Sequence, residues 1–213
     1  MSAIRLGTRA STLATTQSEM VAGLLRSEGL DVDLTTITTH GDTSTASLAA
    51  MGGIGVFTSA IRAALLEGEA DIAVHSFKDL PTGRPLGLAI GAVPARADPR
   101  DALVARDGLT LHDLPQEASV GTGSPRRAAQ LLAVRPDLTI VDIRGNVDTR
   151  LGRVKGLGHY AKGGGKEDLD AVVLAASGLA RLGHSGTVTE FLDPSVVLPA
   201  PAQGALAVEC RTA

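Results

Sequence analysis

The chain has 213 residues, 44% of them hydrophobic, and a formal net charge of −3. This length and composition predict a globular protein of one large or two small domains and exclude a disordered chain. The lack of a basic excess argues against a general nucleic-acid-binding protein. No apolar run reaches the roughly 18 residues of a membrane span, and residues 1–11 lack the apolar core of a signal peptide.

Cysteine and histidine usage limits the possible sites further. The single cysteine, Cys210, excludes an internal disulfide and a cysteine-rich metal site, and we interpret it as a buried structural residue. His75 lies inside a predicted strand and is interpreted as a core histidine. No metal is predicted, because no metal-ligand spacing is found among His40, His112, His159 and His184. These features favour a cytoplasmic protein.

The first half of the chain alternates short apolar runs with helical patterns. Residues 3–7 predict a strand, and residues 11–29 predict a helix with Ser11 as N-cap and Gly29 as stop. Further along, the patterns predict a strand at 31–42, a helix at 57–70 that ends near Gly68, and strands at 71–76 and 86–93. The glycine-rich segment 41–57 is either a lid beside a site or an ordinary flexible connection.

The second half repeats this alternation. Strand, loop and helix patterns follow one another at 98–108, 118–137, 138–154 and 169–183, and residues 195–211 end the chain with two short extended runs. Strands that alternate with helices predict an α/β fold with largely parallel sheets.

Lys78 and Asp79 directly follow the apolar strand 71–76, and Pro81 fixes the chain behind them. A solvated turn with Asp79 as its cap explains this pattern, and so does an active site at the end of a sheet.

Arginines recur at three predicted junctions between a strand and a helix. These junctions contain Thr8 to Ser11, Thr122 to Arg127, and Arg144 to Asn146 with Arg150 one turn later. Helix N-termini already attract anions, and arginine adds a fork that grips a carboxylate or phosphate. Any one arginine is explained by a solvated side chain, but three junctions together predict a ligand with several separate carboxylates.

Two glycines and a proline shape the second junction. Gly121 and Gly123 are expected to let the backbone approach a ligand closely. Pro125 suits the first helical position, because it has no N–H group that would need a partner.

Seven motifs, in order along nearly the whole chain, resemble those of the porphobilinogen deaminase family, also called hydroxymethylbilane synthases. They are HSFKDLP (75–81), DPRDALV (98–104), GTGSPRR (121–127), RPDL (135–138), RGNVDTR (144–150), LDAVVLAASGLARLG (169–183) and PAQGALAVECR (201–211). The resemblance implies a monomeric, cytoplasmic transferase of tetrapyrrole and heme biosynthesis. It would join four porphobilinogen molecules into hydroxymethylbilane and release four ammonia molecules. Each porphobilinogen carries an acetate and a propionate, as the basic junctions require.

The resemblance also implies roles for individual residues. Asp79 becomes the catalytic carboxylate, because positive charge builds on the pyrrole nitrogen after ammonia leaves, and a fixed carboxylate stabilises it and moves protons. The implied cofactor and substrate contacts are Arg9, Ser11, Lys78, Asp79, Thr122, Ser124, Arg126, Arg127, Arg144, Arg150 and Gln203, with Arg181 as a further candidate.

The family fold has two α/β domains of the periplasmic-binding-protein type, with the active site in the cleft between them, and a smaller third α+β domain. Transferred to this chain, the first domain takes residues 1–95 plus 203–213 and the second takes 100–198. The hinge crossings are expected near 95–100 and 199–203.

This chain departs from the family pattern in three places. Ile54 stands where many members have lysine, and Ala202 stands where glycine is usual. The third domain, expected to be absent here, carries the cysteine that holds the dipyrromethane cofactor, and Cys210 is a different position.

Two other functions compete with the deaminase. The same fold without chemistry would make a truncated or degenerate two-lobed protein that binds a small polyanion. A nucleic-acid role would show steep salt dependence, which the charge of −3 disfavours. We expect no nucleic-acid or membrane partner.

Overall fold

The computed structural model describes residues 2–37, 58–83 and 85–212 of the chain. Within these ranges no helix is long and apolar enough to cross a bilayer. The predicted loop at 41–57, which includes Ile54, lies outside the described residues.

The chain divides into two compact units. Unit 1 comprises Met1–Ala97 and Gly204–Ala213, and unit 2 comprises Asp98–Gln203. Gln203, which the sequence analysis placed in the first domain, therefore belongs to unit 2, where its side-chain amide donates to Asp101.

Unit 1 is built on one mixed sheet. Its strands, numbered in chain order, are β1 (Ile4–Thr8), β2 (Val32–Thr36), β3 (Ile72–Ser76), β4 (Leu88–Ala92) and β10 (Leu206–Arg211), and its helices are α1 (Thr12–Ser27) and α2 (Ser59–Leu66). Within the described part of unit 1 the strand order is β2-β1-β3-β10-β4, and β10 runs against its neighbours. The carboxyl ends of β1, β2 and β3 therefore share one edge of the sheet.

Helix α1 begins and ends where the sequence predicted. The hydroxyl of Ser11 accepts a hydrogen bond from the backbone N–H of Ala14 at 3.4 Å, and Gly29 takes a φ of 81° just beyond the helix. The apolar face of α1 packs through Val21 against Leu6 of β1. Truncating a fully buried side chain such as Leu6 would cost about 2–5 kcal/mol of unfolding free energy.

A charged cluster lies in the interior of unit 1. Glu209 of β10 is 1% exposed, accepts a hydrogen bond from Nε of Arg62 at 3.0 Å, and lies 3.2 Å from Nε2 of His75. Burial alone would raise the pKa of Glu209, but the contacts with His75 and Arg62 outweigh it and lower the pKa. The prediction that His75 is a core histidine is confirmed, since it is buried beside this carboxylate.

Unit 2 is built on a second mixed sheet. Its strands are β5 (Asp101–Ala105), β6 (Ser119–Gly121), β7 (Thr139–Val141), β8 (Ala171–Ala175) and β9 (Glu190–Phe191), and its helices are α3 (Pro125–Val134), α4 (Val147–Leu151) and α5 (Ala176–Arg181). The strand order is β7-β6-β8-β5-β9, with β5 antiparallel to both its neighbours. Every residue of β5 is buried, as expected for a strand covered on both faces.

The described sheets are largely parallel, as predicted, and each contains one reversed strand. Two local expectations were wrong. Of the two extended runs expected within 195–211, only β10 is a strand, because residues 194–196 form a turn. Cys210 is half-buried rather than buried.

The remaining described histidines lie in unit 2. Nε2 of His184 is 2.7 Å from Oδ1 of Asp148, and the ring of His184 meets the edge of Tyr160. His112 is exposed beside Asp113. No cluster in the described ranges is arranged to hold a metal ion, and His40 lies outside those ranges.

Candidate functional site

The carboxyl edge of the unit 1 sheet collects the predicted residues of that unit. Arg9 and Ser11 follow β1, and Lys78 and Asp79 follow β3 in a short 3₁₀ helix, Phe77–Asp79. Because β1 and β3 are parallel neighbours, their exits lie side by side. Lys78 and Asp79 are exposed, so solvent and solutes reach both side chains.

Helix α1 is tied to this edge by a buried amide. Gln17 is 5% exposed and donates from Nε2 to the hydroxyl of Ser76, the last residue of β3, at 3.0 Å. Thr15 donates to the carbonyl of Arg9 at 3.4 Å. These bonds fix the two strand exits relative to the helix. The helical pattern placed Gln17 near the apolar face but gave no signal for its bond to Ser76.

The carboxyl edge of the unit 2 sheet is organised around Asp101. This residue opens β5 and pairs with Ala175, the last residue of β8, so it lies at the same edge as the exits of the parallel strands. Its carboxylate is fully buried and accepts hydrogen bonds from Nη2 of Arg126 at 2.9 Å, Nη2 of Arg127 at 2.7 Å and Nε2 of Gln203 at 2.7 Å.

Asp101 remains ionised in this position. Burial by itself would raise the pKa of Asp101. The positive charge and hydrogen bond of Arg127, with the bonds from Arg126 and Gln203, outweigh burial and lower the pKa. The sequence analysis missed Asp101, although it lies in the DPRDALV motif.

Two guanidinium groups at this edge keep buried N–H groups without partners. Arg127 is 6% exposed and donates from Nη1 to the carbonyl of Val173 at 3.0 Å. Its Nε, like Nη1 of Arg144, is buried and finds no acceptor among residues 2–37, 58–83 and 85–212. A buried donor without a partner is costly, so such atoms mark a place where an acceptor is expected to bind.

Arg150 adds a third positive charge to this group. Its Nε donates to the carbonyl of Gly145 at 2.9 Å. Burial lowers the pKa of Arg150, and the positive charges of Arg127 and Arg144 lower it further, against an opposing contribution from Asp142. The three guanidinium groups therefore repel one another, and a bound anion would relieve that repulsion.

The hydroxyl groups of the second junction serve the local backbone. Ser124 is the N-cap of α3 and accepts from the N–H of Arg127 at 3.4 Å, while Thr122 accepts from the N–H of Ser124 at 3.2 Å. Pro125 occupies the first turn of α3, as predicted. Both hydroxyls therefore hold the loop that presents Arg126 and Arg127.

Gly121 and Gly123 have a packing role inside unit 2. A Cβ at Gly123 would lie 2.6 Å from the carbonyl oxygen of Ile143, and a Cβ at Gly121 would lie 2.6 Å from Cδ1 of Leu169. Both glycines therefore allow close packing inside unit 2, between the exits of β6 and β7 and against the core.

The other predicted residues of unit 2 lie at or near this edge. Arg126 also donates from Nη1 to the carbonyl of Leu198. Gln203 is 1% exposed and donates to the carbonyl of Pro99 as well as to Asp101. Arg181, the last residue of α5, is half-buried, and burial lowers its pKa.

Comparison with solved structures defines the class of fold. The chain resembles a nutrient-binding protein from Burkholderia cenocepacia solved with methionine bound (TM-score 0.56, 15% identity), over 98% of this chain and 84% of that one. It also resembles a periplasmic substrate-binding protein of an ABC transporter from Coxiella burnetii (TM-score 0.52, 18% identity), with the same coverage of 98% and 84%. The predicted α/β fold of the periplasmic-binding-protein type is confirmed.

Sequence comparison identifies the family. Residues 4–213 match the family model described as porphobilinogen deaminase, dipyromethane cofactor binding domain, and the chain belongs to the porphobilinogen deaminase family. Porphobilinogen deaminase of Cutibacterium acnes is 98% identical over all of this chain, and that of Micrococcus luteus is 60% identical over 99% of it. The chain spans 64% and 58% of the length of these two relatives.

Proposed function

We propose that this chain provides the cofactor- and substrate-binding residues of a porphobilinogen deaminase, which joins four porphobilinogen molecules into hydroxymethylbilane and releases four ammonia molecules. Family membership supports the reaction. The observation that carries the proposal is the pair of buried guanidinium N–H groups, on Arg127 and Arg144, that find no acceptor in the described chain. A ligand that brings several carboxylates is what such donors require.

The residues of unit 2 fit a dipyrromethane cofactor through its carboxylates. When bound, this group supplies the pyrrole end onto which substrate is added. Its anionic side chains match a site in which burial, followed by the positive charges of Arg127 and Arg144, already lowers the pKa of Arg150. The residues that would hold cofactor and growing chain in this unit are Thr122, Ser124, Arg126, Arg127, Arg144, Arg150 and Gln203.

The residues of unit 1 would perform the proton transfer and charge stabilisation. As ammonia leaves porphobilinogen, positive charge builds on the pyrrole nitrogen, and the carboxylate of Asp79 stabilises it and accepts a proton. Arg9 and Lys78 would orient the substrate through its acetate and propionate, with Ser11 at the start of α1. The exposure of Lys78 and Asp79 supports this, because a porphobilinogen must enter and an ammonia must leave at each addition.

A monomeric cytoplasmic protein completes the proposal, with porphobilinogen and the growing oligopyrrole as its partners and no nucleic acid or membrane. The test is the stoichiometry of the reaction, measured on the protein expressed from its complete gene. Porphobilinogen consumed, ammonia released and hydroxymethylbilane formed are expected in the ratio four to four to one. Tight binding of porphobilinogen without ammonia release would refute the proposal and select the polyanion-binding alternative.

A further inference from the structure

Unit 2 contains two buried aspartates that each accept hydrogen bonds from two cationic side chains, at opposite edges of its sheet. Asp101 holds Arg126 and Arg127 at the carboxyl edge. Asp170, which precedes the first residue of β8, holds Arg106 through Nε and Lys155 through Nζ, both at 2.8 Å.

The two clusters differ in what they leave unbonded. Asp170 also accepts from the backbone N–H of Ser119 at 2.9 Å, and its cluster ties strands together away from the predicted site. In the Asp101 cluster, the guanidinium of Arg127 is held at Nη1 by Val173 and at Nη2 by Asp101, while its Nε has no acceptor in the described chain.

We propose that Asp101 is a positioning residue for the anion site of unit 2, because it fixes Arg126 and Arg127 in the orientation that leaves the buried N–H of Arg127 for a bound carboxylate. This inference rests on the proposed function and deepens it. Gln203 depends on the same carboxylate, since its Nε2 donates to Oδ1 of Asp101 at 2.7 Å. One buried aspartate therefore orients three of the predicted binding residues.

Removing the charge of Asp101 has opposite expected effects on anion affinity, depending on whether Asp101 orients the arginines or only reduces their attraction for the anion. The carboxylate of Asp101 cancels part of the positive charge of the two arginines. Removing its charge would therefore tighten the binding of an anion if electrostatic attraction alone decided affinity. If orientation decides affinity, Asp101→Asn weakens binding in spite of the added positive charge. The carboxamide offers only one acceptor oxygen to the three donor side chains and turns an NH2 group toward one of them.

The experiment compares Asp101→Asn with Asp170→Asn in the protein expressed from its complete gene. Four quantities are measured: the fraction of molecules that carry a covalent adduct by intact mass, KM for porphobilinogen, kcat per adduct-carrying molecule, and the urea midpoint of unfolding. For Asp101→Asn we expect a lower adduct fraction and a KM raised about ten-fold or more, with kcat changed less than about three-fold. Asp170→Asn should lower the midpoint and leave KM and adduct fraction at wild-type values.

Equal effects of the two substitutions on KM, or a KM of Asp101→Asn at or below that of wild type, would overturn the proposal. If Asp101→Asn does not fold, Asp101→Glu and Asp170→Glu decide, because both keep the charge and displace the carboxylate by one methylene. A KM raised only in Asp101→Glu supports positioning, and equal KM values overturn it. A wild-type protein without adduct or turnover refutes the proposed function itself, whereas an active wild type with an unaffected Asp101→Asn refutes only this inference.

Discussion

In the described residues, both sheets place three parallel strands beside one reversed strand and a further edge strand, but the two units differ in the chemistry at the carboxyl edge of the sheet. Unit 1 presents Lys78 and Asp79 exposed at the end of β3. Unit 2 instead buries Arg127 against Asp101. Each reversed strand carries a buried carboxylate, Asp101 in β5 and Glu209 in β10. Two arginines contact Asp101, whereas Arg62 and the imidazole of His75 contact Glu209.

The position of the carboxylate along its strand distinguishes the two units. Asp101 opens β5 opposite Ala175, the last residue of β8. Glu209 lies opposite Ala73, the second residue of β3, and so stands away from the carboxyl edge. The same device therefore orients a binding site in unit 2 and stabilises the interior in unit 1. This comparison predicts that proton transfer and charge stabilisation depend on unit 1, and that binding of the cofactor's carboxylates depends on unit 2.

The largest effect is expected from Asp79→Asn, which should lower kcat by about 10²- to 10⁴-fold because the substrate loses the charge that stabilises its pyrrole nitrogen. KM should change by less than about three-fold, since this carboxylate acts on charge that develops during the reaction. Single-turnover rates compared with porphobilinogen affinity measure the two effects separately.

The control for this variant is Asp33→Asn, on an exposed position of the edge strand β2. It should leave both constants unchanged. Equal losses of turnover and affinity in Asp79→Asn would place Asp79 in binding rather than in chemistry.

Glu209→Gln should lower the free energy of unfolding by about 3–5 kcal/mol, because the buried ion pair with Arg62 loses its negative partner and His75 loses its carboxylate neighbour. Urea unfolding measures this loss. Glu19→Gln is the control, since Glu19 forms an exposed pair with Arg26 that is worth less than about 1 kcal/mol. If Glu209→Gln also raised KM, with the two losses equal when both are expressed as free energies, Glu209 would not be a purely stabilising residue distinct from Asp101.

Glu209 should also contribute to the pH dependence of the free energy of unfolding. The folded-state pKa of Glu209 is lowered, so its contribution is fully present above the unfolded pKa and is lost as pH falls through the folded pKa. Asp101 contributes with the same sign. Unfolding free energy should therefore fall below about pH 4, less steeply in Glu209→Gln than in wild type. Identical slopes in the two proteins would rule out this contribution.

Arg144→Gln should raise KM by about ten- to a hundred-fold through the loss of one charge-assisted hydrogen bond to the ligand. Its stability should stay at or above that of wild type, because a buried guanidinium that is repelled by its neighbours is removed. Kinetics and urea unfolding of the same preparation measure both. Arg153→Gln is the control, because Arg153 pairs with Asp168. A destabilised Arg144→Gln protein with a normal KM would show that Arg144 stabilises the fold and does not bind the ligand.

The smallest expected effect is that of Ala202→Gly. Ala202 takes a φ of 58°, a left-handed conformation that costs a residue with a Cβ about 1 kcal/mol. Glycine there should raise the unfolding free energy by about 1 kcal/mol or less, measured by urea midpoint. Ala200→Gly, outside this conformation, should lower it instead. From the sequence, Ala202 was noted only as standing where glycine is usual in the family, and its positive φ follows from the turn that places Gln203.

Features set by local rules were predicted correctly from the sequence. Ser11 caps its helix, and Pro125 lies in a first turn, because both effects involve residues within a few positions. The grouping of arginines at strand exits followed from the common edge of parallel strands.

Features set by distant parts of the chain were missed. Asp101 bonds to Arg127, 26 positions away in the sequence, and to Gln203, 102 positions away. These contacts depend on the reversed strand β5, whose direction cannot be read from the hydrophobic pattern of the sequence. Gly123 has no room for a Cβ, because the carbonyl oxygen of Ile143, which follows the next strand, lies too close. Neither contact leaves a periodic signal in the sequence.

The most direct test of the proposed function is the intact mass of the protein expressed from its complete gene and purified without added ligand. If the unpartnered donors of Arg127 and Arg144 exist to hold a polycarboxylate cofactor, the mass should exceed that of the polypeptide by a dipyrromethane-sized adduct. A polypeptide of unmodified mass would contradict the proposed deaminase function and favour the alternative, a protein that binds a small polyanion and catalyses no reaction.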